Sequence, residues 1–252
     1  MPEKKRNNKK RSLRQTAIRM LWALFVFLLA GVAVYAGIHF EKNTMIHDVR
    51  FSGNYFTNEQ SLLEAIDSPI GLYADSIQYG NLITDLKKLP YVNDVTVNMN
   101  IRGVLHFRIT EYEPVAMLAD GNRQAYVAEG GIKLPIKPGK ARDVPILYGF
   151  PASPFTDTLN SEAFKQVEKF LTAAIQYDAG WVTISEIAWS ESEGVIALTH
   201  ENGVKLIFGN GDFQEKLLHW EAFYSEVIMK KGIRRFSSID LRFKDQIVVK
   251  HS

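Results

Sequence analysis

Residues 20–38 read MLWALFVFLLAGVAVYAGI, without one charged side chain. No other stretch constrains the chain as strongly, because about 20 helical residues cross the ~30 Å hydrocarbon core of a bilayer. Trp22 and Tyr35 stand near its two ends, where aromatic rings favour the interface. His39 and Phe40 extend it slightly. A buried core helix would need a partly polar face and would rarely run this long. A cleaved signal peptide could use Val34-Tyr35-Ala36 as a small-x-small site, but its apolar run is ordinarily only about 7–15 residues. The segment therefore reads as a signal anchor, a transmembrane helix over residues 20–40.

Charge sets the expected orientation. Of the chain's 30 Lys and Arg, eight precede Met20, and only Glu3 of its 28 acids does. The remaining 22 basic residues face 27 acidic ones, so the basic character belongs to the tail at 1–19. The positive-inside rule places that tail in the cytoplasm and exports the rest. A mildly acidic body argues against nucleic-acid binding, which needs a basic patch on the fold itself. The absence of cysteine excludes disulfides and thiolate-held metals.

The exported part begins as an α+β pattern. Residues 44–52 predict a strand, with Val49 and Phe51 on one face, ended by Gly53-Asn54. Thr57 with Gln60 three residues on reads as a capping box for a short helix carrying Leu62, Leu63 and Ile66. Leu82, Ile83, Leu86 and Leu89 predict a second helix over 81–89, stopped by Pro90. Val95, Val97 and Met99 alternate on one strand, and Leu105, Phe107 and Ile109 on the next, with a hairpin at 100–103. Two helices covering one face of three strands make a sound β-α-α-β-β unit.

From Pro114 the texture is β-rich. Short apolar runs at 115–118, 124–128 and 132–134 alternate with turn signals, and prolines crowd 135–154, which predicts irregular chain. A helix is expected over 162–174, with Phe164, Val167, Phe170, Leu171 and Ala174 facing inward. Strands follow at 184–189, 194–199 and 204–208, the last two joined by Asn202-Gly203, a strong hairpin signal. A helix over 213–230 and strands over 238–243 and 246–250 close the chain.

A search for reaction chemistry finds no supporting motif. His39, His47, His106, His200, His219 and His251 form neither H-x-H nor H-E-x-x-H. No G-x-S-x-G elbow occurs. Gly209-Asn210-Gly211 lacks the Lys and Ser/Thr of a phosphate loop and reads as a plain turn. Glu111 and Glu113 share a strand face, as paired carboxylates of glycan hydrolases do, but adjacent exposed acids are ordinarily solvated. The chain reads as a non-enzyme without cofactor or metal.

Four stretches carry a family resemblance. They are Val49-Arg50-Phe51-Ser52-Gly53-Asn54, then Leu89-Pro90-Tyr91-Val92, then the strand from Leu105 into Thr110-Glu111-Tyr112-Glu113-Pro114-Val115-Ala116, and finally Ile239-Asp240-Leu241-Arg242-Phe243. In this order, behind one span, they resemble the bacterial cell-division family FtsQ/DivIB. Tyr112 stands where the family usually has Arg, and Phe243 where it has Tyr. The resemblance implies a POTRA domain over 44–113, a C-terminal β domain with helices over 114–252, and residence in the inner membrane with the body in the periplasm. It implies a scaffold of the divisome that binds bitopic partners of the FtsB/FtsL kind.

Carried over by position, the implied contact residues are Phe243, Lys244, Asp245, Gln246, Ile247, Val248 and Val249. A terminal strand at a sheet edge suits this role, because its unpaired N–H and C=O groups accept a partner strand. Alternation sends Ile247 and Val249 one way and Val248 and Lys250 the other. Two other readings stay open at this point: a closed internal strand for 247–249, and a local structural ion pair for Asp240 with Arg242. The competing functions are another POTRA-bearing envelope transport or assembly protein, and a periplasmic cell-wall hydrolase.

Overall fold

The computed structural model describes residues 18–35, 44–244 and 246–252. Helix α1 (Ile18–Tyr35) is apolar and long enough to cross a bilayer, and none of it is buried in the protein. Its length of about 27 Å matches the hydrocarbon core. The chain divides into two compact units, one comprising Met1–Leu89 with Asp94–Thr110, the other Pro90–Asn93 with Glu111–Ser252.

The first unit follows the expected β-α-α-β-β order. Its elements are β1 (Asp48–Ser52), α2 (Glu59–Ala65), α3 (Tyr79–Leu86), β2 (Val92–Met99) and β3 (Val104–Glu111). The sheet order is β1-β3-β2, with β1 parallel to β3 and Phe51 opposite Phe107. Those two rings stack at 5.5 Å. Leu62 of α2, Leu82 and Leu86 of α3, and Val95, Leu105, Phe107 and Ile109 of the sheet are all buried. Gly53 ends β1 at φ +82°, and a Cβ there would collide with the carbonyl of Ile109, so the Gly-Asn signal has a steric cause.

Two local expectations are corrected here. The strand expected over 44–52 pairs with β3 only from Asp48, and Met45 instead makes an isolated bridge to Tyr73. The helix cap is Asn58, whose side chain accepts from the Ser61 N–H at 2.7 Å, and not Thr57. Thr57 is buried and its carbonyl accepts from Asn54 Nδ2, so the turn closes one residue later. Asn is also the better cap.

The second unit is built on a nine-stranded sheet. In chain order come β4 (Pro114–Asp120), β5 (Arg123–Ala128), β6 (Ile132–Leu134), β7 (Ile146–Tyr148), α4 (Glu162–Ala174), α5 (Asp178–Val182), β8 (Ile184–Ser190), β9 (Gly194–Thr199), β10 (Lys205–Gly209), α6 (Phe213–Phe223), α7 (Met229–Lys231), β11 (Phe236–Asp240) and β12 (Val248–His251). A π segment, Tyr224–Ile228, makes α6 and α7 one continuous helix. The spatial order is β12-β11-β10-β9-β8-β7-β4-β5-β6.

Alternate strand residues such as Leu118, Val127, Leu147, Ile187, Ala197 and Leu206 form one core with Phe164, Val167 and Phe170 of α4 and Leu217 and Trp220 of α6. Helix α4 has the expected bounds, and Ser161 caps it by accepting from the Phe164 N–H. The Asn202-Gly203 turn adopts positive φ at both residues and joins antiparallel β9 and β10. Strand β7 was not expected, because three residues between Pro145 and Gly149 show no period. It nevertheless bridges the sheet, pairing parallel with both β4 and β8. Tyr91 of the Leu-Pro-Tyr stretch is buried, and its hydroxyl donates to the Pro135 carbonyl at 2.6 Å. Burial, followed by the neighbouring Tyr126 and Glu111 charges, holds that phenol well above its ordinary pKa.

Candidate functional site

The two edges of the nine-stranded sheet differ. Strand β6 has only three residues, and the chain at 154–159 is bonded to Lys133 within it and to Gly131 just before it. The buried Lys133 donates through Nζ to the Pro154 carbonyl, and the Leu159 N–H donates to the Gly131 carbonyl at 2.9 Å. Strand β12 ends the other side, with β11 as its one neighbour among the described residues. It runs antiparallel to β11, with Asp240 opposite Val248 and Ile239 opposite Val249. Internal placement of the last strand is therefore excluded.

The turn leading into this edge is held by charge. Arg242 donates from Nε to Asp240 Oδ1 at 2.9 Å and from Nη2 to Oδ2 at 2.6 Å. Nε also reaches Oδ2 at 3.2 Å, and the Arg242 backbone N–H donates to Oδ1 at 3.1 Å. Burial pushes the Asp240 carboxyl up, but these bonds to Arg242 outweigh it and leave the carboxyl below the usual range. The Arg242 stem lies against Gly209, which sits at φ +71° where β10 bulges. The guanidinium stands 6.0 Å from the Phe243 ring. Leu241 between the paired charges is buried in the core. The Asp-Leu-Arg stretch is thus a turn clamp with one apolar anchor.

Gly209 is the weak point of that clamp. Gly209→Ala would place a Cβ within 2.8 Å of Arg242 Cγ at a positive φ. We expect a stability loss of about 1–2 kcal/mol from the left-handed backbone alone. Urea unfolding of the variant would check it.

The structure spreads the implied contact residues over three settings. Phe243 and Lys244 lie in the turn, exposed. Gln246 and Ile247 precede the strand, Gln246 exposed and Ile247 half-buried against the core. Within β12, Val248 is 43% exposed while Val249 packs inward, which keeps the expected alternation. Asp245 lies outside the described residues. The expected strand bounds 238–243 and 246–250 are corrected to Phe236–Asp240 and Val248–His251, because the Asp240–Arg242 clamp turns the chain out of the ladder.

Residues outside the implied contact set support the edge from beneath. Phe223 of α6 packs on Phe236 of β11 at 5.8 Å, and Phe236 on His251 of β12 at 5.4 Å. His219, Phe223 and Val227 face Gln246 and Ile247 across a cleft of ≈ 430 Å³. Their spacing of four along the helix was the available signal. The larger cleft of ≈ 730 Å³ lies elsewhere, lined by Glu129 and Glu168 and by Asp212 before the start of α6. Glu168 is engaged there by the Gly130 N–H at 2.6 Å. Among the described residues, no three His, Asp or Glu side chains gather to hold a metal. Glu111 ends β3 and Glu113 lies beyond it, before β4.

A family model described as FtsQ/DivIB, C-terminal related, matches residues 113–250, more than half of the chain. The chain belongs to the FtsQ/DivIB family. The matched region runs from the Glu-Pro-Val-Ala stretch through the turn clamp and β12. Cell division protein FtsQ of Rhodothermus marinus is 28% identical over 251 residues, covering 96% of this chain and 89% of its own length. FtsQ of Geotalea daltonii is also 28% identical, over 65% of this chain and 60% of its own. Cell division protein DivIB of Paenibacillus polymyxa is 28% identical over 57% of this chain and 55% of its own. The solved major extracytoplasmic domain of DivIB from Geobacillus stearothermophilus is 21% identical and covers 48% of this chain and 97% of its own, at a TM-score of 0.31. As an FtsQ/DivIB member with one apolar N-terminal helix, the chain is a single-pass membrane protein of cell division.

Proposed function

We propose that this chain is a non-catalytic scaffold of the divisome that holds bitopic partners of the FtsB/FtsL kind by strand addition at β12. The carrying observation is the asymmetry of the nine-stranded sheet. One edge is short and tied to the chain at 154–159, while β12 has only β11 beside it among the described residues, is supported by an aromatic column and is entered through a charge-clamped turn. An edge strand directs alternate N–H and C=O groups outward, and an extended peptide satisfies them. The exposed Val248, Phe243 and Lys244 would supply side-chain selectivity, and the cleft beside Ile247 would seat an apolar residue of the partner. Lys244 would favour an acidic partner residue.

The first unit is read as a POTRA domain that docks a further division protein. The basic tail supports a cytoplasmic N-terminus, with the folded body from residue 44 onward outside the inner membrane, in the periplasm.

The test is binding of full-length chain in detergent to the extracytoplasmic regions of candidate division proteins, with Val248→Glu beside the parent. Val248 is exposed, so the substitution should change stability by less than about 0.5 kcal/mol. A charge on the docking edge should weaken binding at least about tenfold, equal to 1.4 kcal/mol. Equal binding by both forms would remove β12 from the interface.

A further inference from the structure

The first unit carries an apolar tip that its fold does not use. The turn between β2 and β3 is shaped by Asn100, whose side chain accepts from the N–H groups of Arg102 at 2.9 Å and Val104 at 3.1 Å. The Gly103 N–H closes it on the Asn100 carbonyl at 3.0 Å. Ile101 between them bears 79% exposure. Turn tips ordinarily carry polar residues or glycine, and nothing in this hydrogen-bonding scheme calls for isoleucine. Across the entering chain, the loop at 70–73 exposes Ile70, Leu72 and Tyr73 at 52%, 49% and 51%. Isolated exposed apolar residues need no explanation, but a group of four does.

Backbone bonds bring these two segments to one place. The Ile46 N–H donates to the Leu72 carbonyl at 2.9 Å, and the Gly71 N–H to the Ile46 carbonyl at 2.8 Å. The His47 N–H donates to the Gly103 carbonyl at 2.9 Å on the other side. Residues 44–47 therefore enter the unit between the loop and the turn. The chain leaves α1 at Tyr35, so only residues 36–43 separate the membrane span from this tip. Fully extended, that connection reaches about 30 Å.

We propose that Ile70, Leu72, Tyr73 and Ile101 form a footing that dips into the lipid interface beside the chain's own span. This rests on the membrane-anchored reading above. Apolar and aromatic side chains settle at the boundary of headgroups and acyl chains, and Tyr suits that depth. Asp67 and Asp75 flank the loop and Arg102 the turn, so no single charge dominates. The recognised chemistry is the apolar boundary of the bilayer and not an anionic headgroup. The footing would fix the height and tilt of this α+β unit over the membrane.

The chain has no cysteine, so single labels can be placed without altering native thiols. Ile101→Cys, Leu72→Cys, Tyr55→Cys and Val32→Cys would each carry an environment-sensitive fluorophore on the full chain in phosphatidylcholine vesicles. Tyr55 is the matched control, 48% exposed but at the opposite end of β1. Val32 lies within α1 and reports the span itself. A quencher on the lipid chains should dim the Ile101 and Leu72 labels several-fold more than the Tyr55 label, with blue-shifted emission. Equal access of all three to aqueous iodide, with Val32 quenched by lipid, would overturn the footing and leave the span intact. Shielding of the Ile101 and Leu72 labels from both quenchers would mean protein covers the tip, and would also overturn it. Escape of the Val32 label from lipid quenching would refute the membrane reading and the footing together.

Discussion

Trp220→Ala is expected to destabilise the second unit by about 3–5 kcal/mol, the cost of deleting a large buried ring and leaving a cavity. Trp220 is wholly buried on α6, and its indole N–H donates to Thr183 Oγ1 at 3.1 Å. Its ring starts a column that continues through Phe223, 6.4 Å away, to Phe236 and His251. Damage there should pass to the edge, so amide protection of β11 and β12 should fall with global stability. Trp220→Phe keeps most of the ring and loses the N–H, and should cost only about 1–2 kcal/mol. Fluorescence of Trp181 and Trp189, both in this unit, would follow unfolding in urea. An unchanged midpoint for Trp220→Ala would show that the helix does not support the sheet.

Phe107→Ala should have a comparable effect, about 3–5 kcal/mol, on the first unit. Phe107 is fully buried on the central strand β3 and stacks on Phe51. Three strands and two short helices offer little other core to absorb the loss. Each unit has its own buried core, so the tryptophan transition of the second unit should stay where it is. Residues 44–110 contain no tryptophan, and hydrogen exchange on β1 and β3 would report the change. A parallel shift of both transitions would mean that the units unfold as one.

Much of the local structure was legible because it depends on neighbours in sequence. The period of Phe164, Val167, Phe170 and Leu171 gave α4 its bounds, and Asn202-Gly203 gave the β9–β10 turn. Alternation at Leu105, Phe107 and Ile109 marked β3 and its buried face. Errors gathered where a local signal had two nearby solutions, as with Thr57 and Asn58, or where an element was too short for a period, as with β7 and α5.

The sequence by itself determined that this chain has one apolar helix fit to span a membrane, then an α+β body ending in two strands. A 19-residue run without charge has few places to go other than lipid, and alternation needs only adjacent residues to be read. Only the tertiary structure decided that β7 joins β4 to β8 and so makes one sheet of nine strands. It also decided that β12 lies at the open edge, and that Asp240, Arg242 and Gly209 close around the turn that leads to it. Strand alternation says which side chains are buried but not which strand lies alongside, because that pairing is made between residues far apart in the chain.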